Sequence, residues 1–332
     1  MPSYSFPVDV VYLWVDSNDP LWQKRKQNEL EKAQKTHLTI QKEALAPARF
    51  RNNNELKYSL RSLELYAPWV NQIHIITDQQ CPDWLKRSSI NLVDHKDILP
   101  DHAAYPVYNS NLIEICMHRI SSLTEHFIAF NDDVMLGAPI NKADFFTKDG
   151  KTKQWLTQKA IKPFKEGLKN LDLLSLQTRN IANAHMAIAK KYGLLMPYGF
   201  KHCPRPYTKS SMEELWLAFP EKIEENLQLP FRDKKAIATF ILYALYMLAT
   251  QKGIKKQTNG VYSILERLCG RVSNISVDLG DDRYPSKVRR IKKQHPLTFC
   301  INDCDSPKGE LRLLELQEFL QEMFPKKSKF EL

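Results

Sequence analysis

Glycine is scarce in this sequence, with 10 residues among 332. Neither of the two commonest glycine-built phosphate loops, G-x-x-x-x-G-K-[ST] and G-x-G-x-x-G, occurs in it. The G-x-S-x-G nucleophile elbow and the H-E-x-x-H zinc motif are absent as well. These absences exclude the usual P-loop and dinucleotide-binding sites and the common serine-hydrolase and zinc-protease arrangements.

Long apolar runs are also missing. The longest, Ala236 to Thr250, falls short of the roughly 20 residues that a membrane-spanning helix needs. The opening MPSYSFPVDVVYLW has neither the basic region nor the cleavage site of a secretory signal. We therefore expect a cytoplasmic protein that does not cross a bilayer. A chain with 43% hydrophobic and 26% charged residues can bury a full core, which excludes wholesale disorder.

The six cysteines are scattered, and a chain of this size needs no disulfide bonds, so we expect reduced thiols. Cys300 and Cys304 are spaced C-x3-C, but no second Cys/His pair at zinc-finger spacing accompanies them. A structural zinc site is therefore not expected.

The net charge is +10, from 48 Lys and Arg against 38 Asp and Glu. This balance favours phosphorylated substrates, polyanions or anionic membrane surfaces as partners. The basic run Arg289 to Lys293 fits an anionic surface, a polyanion track or simply a solvated face. Without recognition-helix or zinc-finger spacing, we expect no nucleic-acid partner.

Hydrophobic patterning predicts an α/β fold. Short apolar runs that indicate buried strands alternate with amphipathic helical segments. The predicted strands are Val8–Val15, 72–78, Ile90–Val93, His126–Asn131 and 298–303. The predicted helices include Leu21–Lys35, 109–119 and 308–324. A further helix carries Leu56, Leu60, Leu63 and Tyr66 at helical spacing, and Asn52 to Asn54 are its candidate N-cap residues.

The residue composition changes at Lys142, where a Lys-rich stretch with several helical patterns begins. We predict an α/β catalytic core from residues 1–141 and 295–332. Residues 142–294 are expected to form a mainly helical lobe against it.

Acidic residues follow three of the predicted strands. Asn131-Asp132-Asp133 ends one, Asp303 ends another, and Asp16 with Asp19 follows the first. Ligands bind at this edge of open α/β sheets, and carboxylates there suit Mg²⁺ or Mn²⁺. Each cluster alone is equally consistent with an acidic turn. Asp132, Asp133 and Asp303 are the predicted metal ligands.

Two basic side chains are candidates for catalysis. His202 lies in a Lys-His-Cys-Pro-Arg-Pro segment that is expected to be extended. The unperturbed pKa of histidine lies near neutrality, which suits a general base. A lone histidine is nevertheless more often a packing or surface residue. Arg232 precedes the most apolar predicted helix, and its guanidinium group can donate two hydrogen bonds to phosphate oxygens. The alternative is that Arg232 is simply an exposed basic residue at the start of a helix.

Five blocks of the sequence match one known family in order and span nearly the whole chain. They are 9–22, 49–85, 118–140, 202–216 and the stretch from FCINDCDS to MFPKKSKFEL. In these blocks the chain resembles the Stealth family of sugar-phosphate transferases. That family includes bacterial capsular polysaccharide phosphotransferases and the catalytic subunit of the lysosomal-enzyme N-acetylglucosamine-1-phosphotransferase.

The resemblance implies a GT-A-like, Rossmann-type core with a mainly parallel sheet. It implies transfer of hexose-1-phosphate from a UDP-hexose or UDP-N-acetylhexosamine to the hydroxyl of a glycan or lipid-linked glycan, with release of UMP. Contact with the inner face of the membrane is expected if the acceptor is lipid-linked.

The resemblance also assigns roles to residues. The matching positions for catalysis are Asp132, Asp133, His202 and Arg232, and those for donor binding are Trp14, Val15, Asp16, Arg49, Asn53, Glu55 and Arg179. Two positions depart from the family pattern: Ser17 stands where glycine is usual, and Asn52 where aspartate is usual. Asn52 cannot supply the negative charge that an aspartate has at this position.

Two other functions are kept open. A plain glycosyltransferase would use the same donor and release UDP instead of UMP. A non-catalytic polyanion-binding protein would account for the positive charge alone and would bind in a salt-sensitive way.

Overall fold

The computed structural model describes residues 4–35, 40–160, 170–196, 198–257 and 272–332. Cys269 lies outside these ranges. The strands are β1 (Val8–Leu13), β2 (Ile73–Thr77), β3 (Asn91–Asp94), β4 (His126–Asn131), β5 (Val134–Leu136), β6 (Thr152–Ala160), β7 (Tyr198–Phe200), β8 (Arg205–Thr208), β9 (Gly253–Gln257), β10 (Asn274–Asp278) and β11 (Thr298–Asn302). The α-helices are α1 (Pro20–Lys35), α2 (Glu55–Tyr66), α3 (His95–Ile98), α4 (Ser110–Cys116), α5 (Lys142–Phe145), α6 (Leu176–Tyr192), α7 (Lys209–Ala218), α8 (Pro220–Leu227), α9 (Thr239–Ala249), α10 (Tyr284–Gln294), α11 (Pro307–Leu311) and α12 (Leu313–Met323).

The main sheet has five strands in the order β3-β2-β1-β4-β8. The first four run parallel, and β8 pairs antiparallel with β4. β1 and β2 are apolar runs buried almost throughout, as expected of parallel strands covered on both faces. This architecture confirms the predicted α/β class with a mainly parallel sheet, and it brings the carboxyl ends of four strands to one edge.

A second sheet begins directly after β4, the fourth strand of the main sheet. After the turn Asp132-Asp133 the chain enters β5, which pairs antiparallel with β11, and β11 pairs parallel with β10. Helix α2 packs against β5, with Leu56, Leu60 and Leu63 buried at the predicted helical spacing. The Asp132-Asp133 turn therefore joins two sheets.

Residues 142–294 differ from the sequence expectation. Within their described part they contain β6 to β10 as well as helices, so the segment is more mixed than a mainly helical lobe. β8 belongs to the main sheet, β10 pairs with β11, and β7-β6-β9 form a third sheet. These pairings join residues distant in sequence, which local patterns do not reveal. The division into two domains stays a prediction.

Smaller differences occur at element ends. β1 stops at Leu13, so Trp14 and Val15 lie beyond the strand. The helix predicted over 308–324 is two helices, α11 and α12, which meet at Arg312. Asn54 occupies the N-cap of α2 with a φ of 62°, but its side chain makes no capping hydrogen bond.

No helix in the described ranges is long and apolar enough to cross a bilayer. The most apolar one, α9, has 11 residues and is buried in the largest hydrophobic cluster instead.

The end of the chain is anchored to α2 by a buried ion pair. The Arg61 guanidinium lies 2.7 Å from the Glu331 carboxylate and also donates to the carbonyl oxygen of Phe324 at 2.7 Å. Burial raises the pKa of Glu331, but hydrogen bonds from Arg61 and Ser328 outweigh this and lower it to about 2. Because the folded pKa lies below the ordinary 4.5, the pair stabilises the protein above that value.

We expect this stabilisation to be lost as the pH falls from about 5 to about 2, with a limit of about 3 kcal/mol. Urea unfolding of the parent and of Glu331→Gln across this pH range measures it. The variant should be less stable at neutral pH and should lack this component of the acid-induced loss. An equally steep loss in both proteins would contradict the assignment.

Candidate active site

A cavity of about 800 Å³ lies along the carboxyl edge of the main sheet. Leu13 at the end of β1, Ile76 near the end of β2 and Asn131 at the end of β4 line it. Its walls also come from the loops before α2, before α4 and after β11. The edge predicted to bind ligand therefore borders a cavity large enough for a nucleotide-sized molecule.

Most of the predicted site residues meet in this cavity, although they come from distant parts of the chain. Those that line it are Trp14, Val15, Arg49, Glu55, Asp132, Asp133, His202, Arg232 and Asp303. Three predicted residues, Asp16, Asn53 and Arg179, are not among its lining residues. The structure thus brings together the predicted acidic pair, histidine and phosphate-contacting arginine.

Three carboxylates crowd one side of the cavity. Burial raises the pKa of Asp132 well above its usual range, and the charges of Asp133 and Glu55 raise it further. Burial, together with the charge of Asp133, raises the pKa of Glu55 to about 7. One oxygen of Asp133, Oδ1, is buried without a hydrogen-bond partner among the described residues. Such a concentration of negative charge favours a bound cation.

His202 lies beside this acidic group. Its Nε2 accepts a hydrogen bond of 2.8 Å from the Asn131 amide and lies 3.6 Å from Asp133 Oδ1. Burial lowers the pKa of His202, while the charge of Asp133 opposes that shift. The Nε2 lone pair of a neutral imidazole is able to accept a proton from a hydroxyl that takes the place of the Asn131 amide. The loop that carries it leads into β8, whose antiparallel pairing with β4 sets its position.

Cys300 is a member of the site that sequence reasoning missed. Its Sγ lies 3.3 Å from Asp133 Oδ2 and 3.5 Å from His202 Nδ1. Burial raises the pKa of the thiol well above its usual range, and Asp133 raises it further, so the thiol donates to the carboxylate. Cys304 contacts Ser306 instead, so the two cysteines of the C-x3-C spacing face different partners. A buried strand cysteine looks structural in sequence, which explains the omission.

Among the described residues, Asp133, His202 and Cys300 place ligand atoms within 4.8 Å of one another, as a metal site requires. The unpartnered oxygen of Asp133 and its carboxylate neighbours fit a hard divalent ion, whereas the protonated thiol is a poor ligand. Asp303, the third predicted ligand, pairs with Arg51 at 3.2 Å and accepts from Asn53 at 3.2 Å. A divalent ion therefore fits on Asp133, while Asp303 is already paired with a cation.

Cationic side chains face the cavity as well. Arg232 donates to Ser110 Oγ at 2.6 Å. Burial, together with the charge of Arg49, lowers the pKa of Arg232 to about 10, against the opposing charge of Glu114. An anion bound in this partly desolvated cavity stabilises both guanidinium groups. Arg205, also in the wall, is instead paired with Glu114 at 2.9 Å.

The predicted residues outside the lining have structural contacts. Asp16 Oδ2 accepts a 2.8 Å hydrogen bond from the Asn52 amide, and the Asp16 backbone amide donates to Gln80. An aspartate at position 52 would repel Asp16, so the amide there suits this chain. Asn53 donates to Glu55 at 2.8 Å. Arg179 lies 3.8 Å from the exposed Asp172.

The departure at Ser17 carries no backbone strain. Ser17 is not among the described residues with positive φ, so a glycine is not needed there.

Three relatives illustrate which known proteins this chain is similar to. A capsular polysaccharide phosphotransferase of Haemophilus influenzae is 34% identical over 90% of this chain and 79% of its own length. One of Neisseria meningitidis is 32% identical over 91% and 78%. An exopolysaccharide phosphotransferase of Streptomyces coelicolor is 30% identical over 98% of this chain but only 33% of its own length. The chain spans 52% to 57% of three further relatives from that organism.

Among solved structures, the galactosyltransferase LgtC in complex with donor and acceptor sugar analogs aligns over 97% of this chain and 98% of its own, with a TM-score of 0.42 and 10% identity. Three described regions of one family also match. Stealth protein conserved region 1 matches residues 6–32, conserved region 2 matches 49–154, and conserved region 4 matches 287–332. With these matches and the extent of the similarity to the two capsular phosphotransferases, the chain belongs to the Stealth protein family.

Proposed function

We propose that this chain transfers hexose-1-phosphate from a UDP-hexose or UDP-N-acetylhexosamine to a glycan hydroxyl, forming a phosphodiester and releasing UMP. The phosphotransferase names of its capsular and exopolysaccharide relatives support this activity. The observation that carries the proposal is the presence of both kinds of charge in one cavity. Arginines, carboxylates and a histidine all line it.

The arginines are proposed to bind the donor pyrophosphate. Arg49 and Arg232 both line the cavity, and the charge of Arg49 lowers the pKa of Arg232. A phosphate group accepts paired hydrogen bonds from guanidinium groups and relieves their repulsion. Phosphoryl transfer needs such positioning and charge neutralisation more than it needs covalent help.

His202 is proposed to take the acceptor proton. The acceptor hydroxyl oxygen attacks the β-phosphorus, and its proton passes to Nε2 of His202. The bond between the β-phosphorus and the bridging oxygen breaks, and that oxygen leaves with UMP. The bonds at C1 of the sugar stay intact, so the anomeric configuration is retained.

Asp132 and Asp133 are proposed to hold the divalent ion, Mg²⁺ or Mn²⁺. Such an ion neutralises charge on the pyrophosphate when bound. The chain's own contribution is the unpartnered Asp133 oxygen and the fixed turn between β4 and β5. With a lipid-linked glycan as acceptor, the reaction would take place in the cytoplasm at the inner face of the membrane.

The experiment is incubation with a panel of UDP-hexoses and short glycan acceptors, followed by mass spectrometry. UMP together with a product that retains phosphorus between sugar and acceptor is expected. UDP with a plain glycosidic bond would establish the rival glycosyltransferase. Absence of any product with every pair, alongside salt-sensitive polyanion binding, would favour the non-catalytic alternative.

Removal of divalent ions is expected to lower the rate of UMP release by at least about 100-fold, since charge neutralisation contributes this much in related chemistry. Dialysis against EDTA followed by assay measures the loss. Mg²⁺ or Mn²⁺ should restore activity, and Na⁺ at equal ionic strength serves as the control. Full activity after dialysis would contradict the metal proposal.

A further inference from the structure

Cys300 lies in the middle of the second sheet, directly beside the turn that carries Asp133. Its strand, β11, pairs with β5 on one side and with β10 on the other. The register places Cys300 opposite Val134, the residue that follows Asp133. The backbone amide of Ile301 also donates to the carbonyl oxygen of Asp133 at 3.3 Å. The backbone of the sheet therefore sets the position of Cys300 relative to this carboxylate.

The same sheet also supports His202. The side chain of Asn274, the first residue of β10, donates to the carbonyl oxygen of His202 at 3.0 Å. The imidazole of His202 lies against β11, with Nδ1 at 3.5 Å from Cys300 Sγ. The side chain of Asn302, the last residue of β11, also forms a hydrogen bond with this imidazole. β11 thus contacts both His202 and Asp133.

The hydrogen-bond partners assign the protons of this group. The Asn131 amide donates to His202 Nε2, so a neutral imidazole carries its proton on Nδ1. The Cys300 thiol has one proton, and Asp133 Oδ2 at 3.3 Å is a charged acceptor, whereas Asn302 Oδ1 at 3.4 Å is a neutral one. With the proton directed at Asp133, the sulfur lone pairs accept from Nδ1–H. Cys300 therefore joins His202 to Asp133 through its sulfur.

These contacts have one consequence at each end. The hydrogen bond that one imidazole nitrogen makes decides which nitrogen carries the proton, so an acceptor at Nδ1 keeps the lone pair on Nε2. That lone pair is the one proposed to take the proton of the acceptor hydroxyl. At the other end, the thiol occupies Asp133 Oδ2, and Asp133 Oδ1 has no hydrogen-bond partner within the described part of the chain. That oxygen is the one proposed to bind the divalent ion.

We propose that Cys300 is a positioning residue that holds His202 in its proton-accepting tautomer and leaves Asp133 Oδ1 available to the ion, an inference that rests on the proposed function. Cys300 acts through these two side chains and touches neither substrate, since it is fully buried and is not one of the described residues that line the cavity. Groups that orient a ligand or a base from behind typically contribute about 10- to 100-fold to activity or ion affinity.

The first test compares Cys300→Ala and Cys300→Ser with the parent in the assay of UMP release. Alanine removes both contacts, so kcat should fall about 10- to 100-fold while KM for donor and acceptor stays within about twofold. Serine keeps a donor and lone pairs on the same side chain, so it should restore most of the lost kcat. An unchanged kcat in the alanine variant, a loss confined to KM, or a serine variant as slow as the alanine variant would each overturn the positioning role.

A second measurement needs no turnover. Nitrogen NMR of the isotope-labelled protein, free of metal and substrate, shows which nitrogen of His202 carries the proton at a pH where the ring is neutral. The spectrum of His202→Gln identifies the signal. The parent should show the Nδ1–H tautomer alone, and Cys300→Ala a mixture of both tautomers. Cys116→Ala is the matched control, because Cys116 is an equally buried thiol outside the cavity lining, and it should keep the single tautomer and the parental kcat.

The two readouts separate this inference from the proposed function. A single, unchanged tautomer in a folded Cys300→Ala protein would overturn the positioning role, while UMP release by the parent would still support the transferase. If the parent releases no UMP from any donor, the transferase proposal fails and the role of Cys300 in that reaction fails with it. A mixed tautomer in Cys300→Ala would in that case still establish that Cys300 sets the proton position on His202.

Discussion

Replacement of Asp133 by asparagine is expected to lower the rate of UMP release by on the order of 10²- to 10³-fold. The change removes the charge of the carboxylate that stands between His202 and Cys300 but keeps its size. It therefore removes the charge for the proposed ion with little effect on packing. Steady-state assays with saturating donor and acceptor measure the effect.

The same substitution should not lower the thermal midpoint. The charge of Asp133 raises the pKa of both Asp132 and Glu55, so its removal relieves repulsion among three crowded carboxylates. Asp282→Asn is the matched control, because Asp282 is 82% exposed and lies outside the cavity lining. An active Asp133→Asn protein would contradict the assignment, and a lower midpoint would contradict the account of the crowded carboxylates.

Replacement of His202 is expected to cost about 10²- to 10⁴-fold in turnover, the range typical of a lost general base. Glutamine at this position retains hydrogen bonding to Asn131 but cannot take up a proton. Glycine leaves space, so added imidazole should restore part of the activity of His202→Gly and none of that of His202→Gln. Rates of UMP release with and without imidazole measure both.

The control for this series is His102→Gln, since the His102 side chain is 59% exposed and pairs with Glu224 on the surface. It should retain the parental rate. The affinity of His202→Gln for UDP, measured by calorimetry, should also stay near the parental value. Parental turnover in the glutamine variant would remove His202 from the reaction.

The sequence predicted the four parallel strands of the main sheet, because parallel strands buried on both faces leave a strong apolar signal. β4 has the predicted bounds, His126–Asn131, and it ends in the acidic turn that borders the cavity. The predicted meeting of Asp133, His202 and Arg232 in one cavity is also what the structure has. Their roles in catalysis stay predictions until the variants above are measured.

Other features left no local signal. The pairing of β8 with β4 and of β5 with β11 joins segments far apart in the chain, and patterns of neighbouring residues do not reveal such contacts. Asp16 follows a strand as Asp133 does, yet it pairs with Asn52 in a loop. A carboxylate at a strand end can serve a turn or a ligand, and only its three-dimensional neighbours distinguish the two.

The turn between β4 and β5 also affects how the protein is made. The backbone amide of Ile301 donates to the carbonyl of Asp133, so a strand synthesised much later supports this turn. A nascent chain that still lacks β11 already contains β1 to β4, but its Asp132-Asp133 turn lacks this hydrogen bond. The hydrogen bond that supports the turn can therefore form only after the β11 segment has been synthesised.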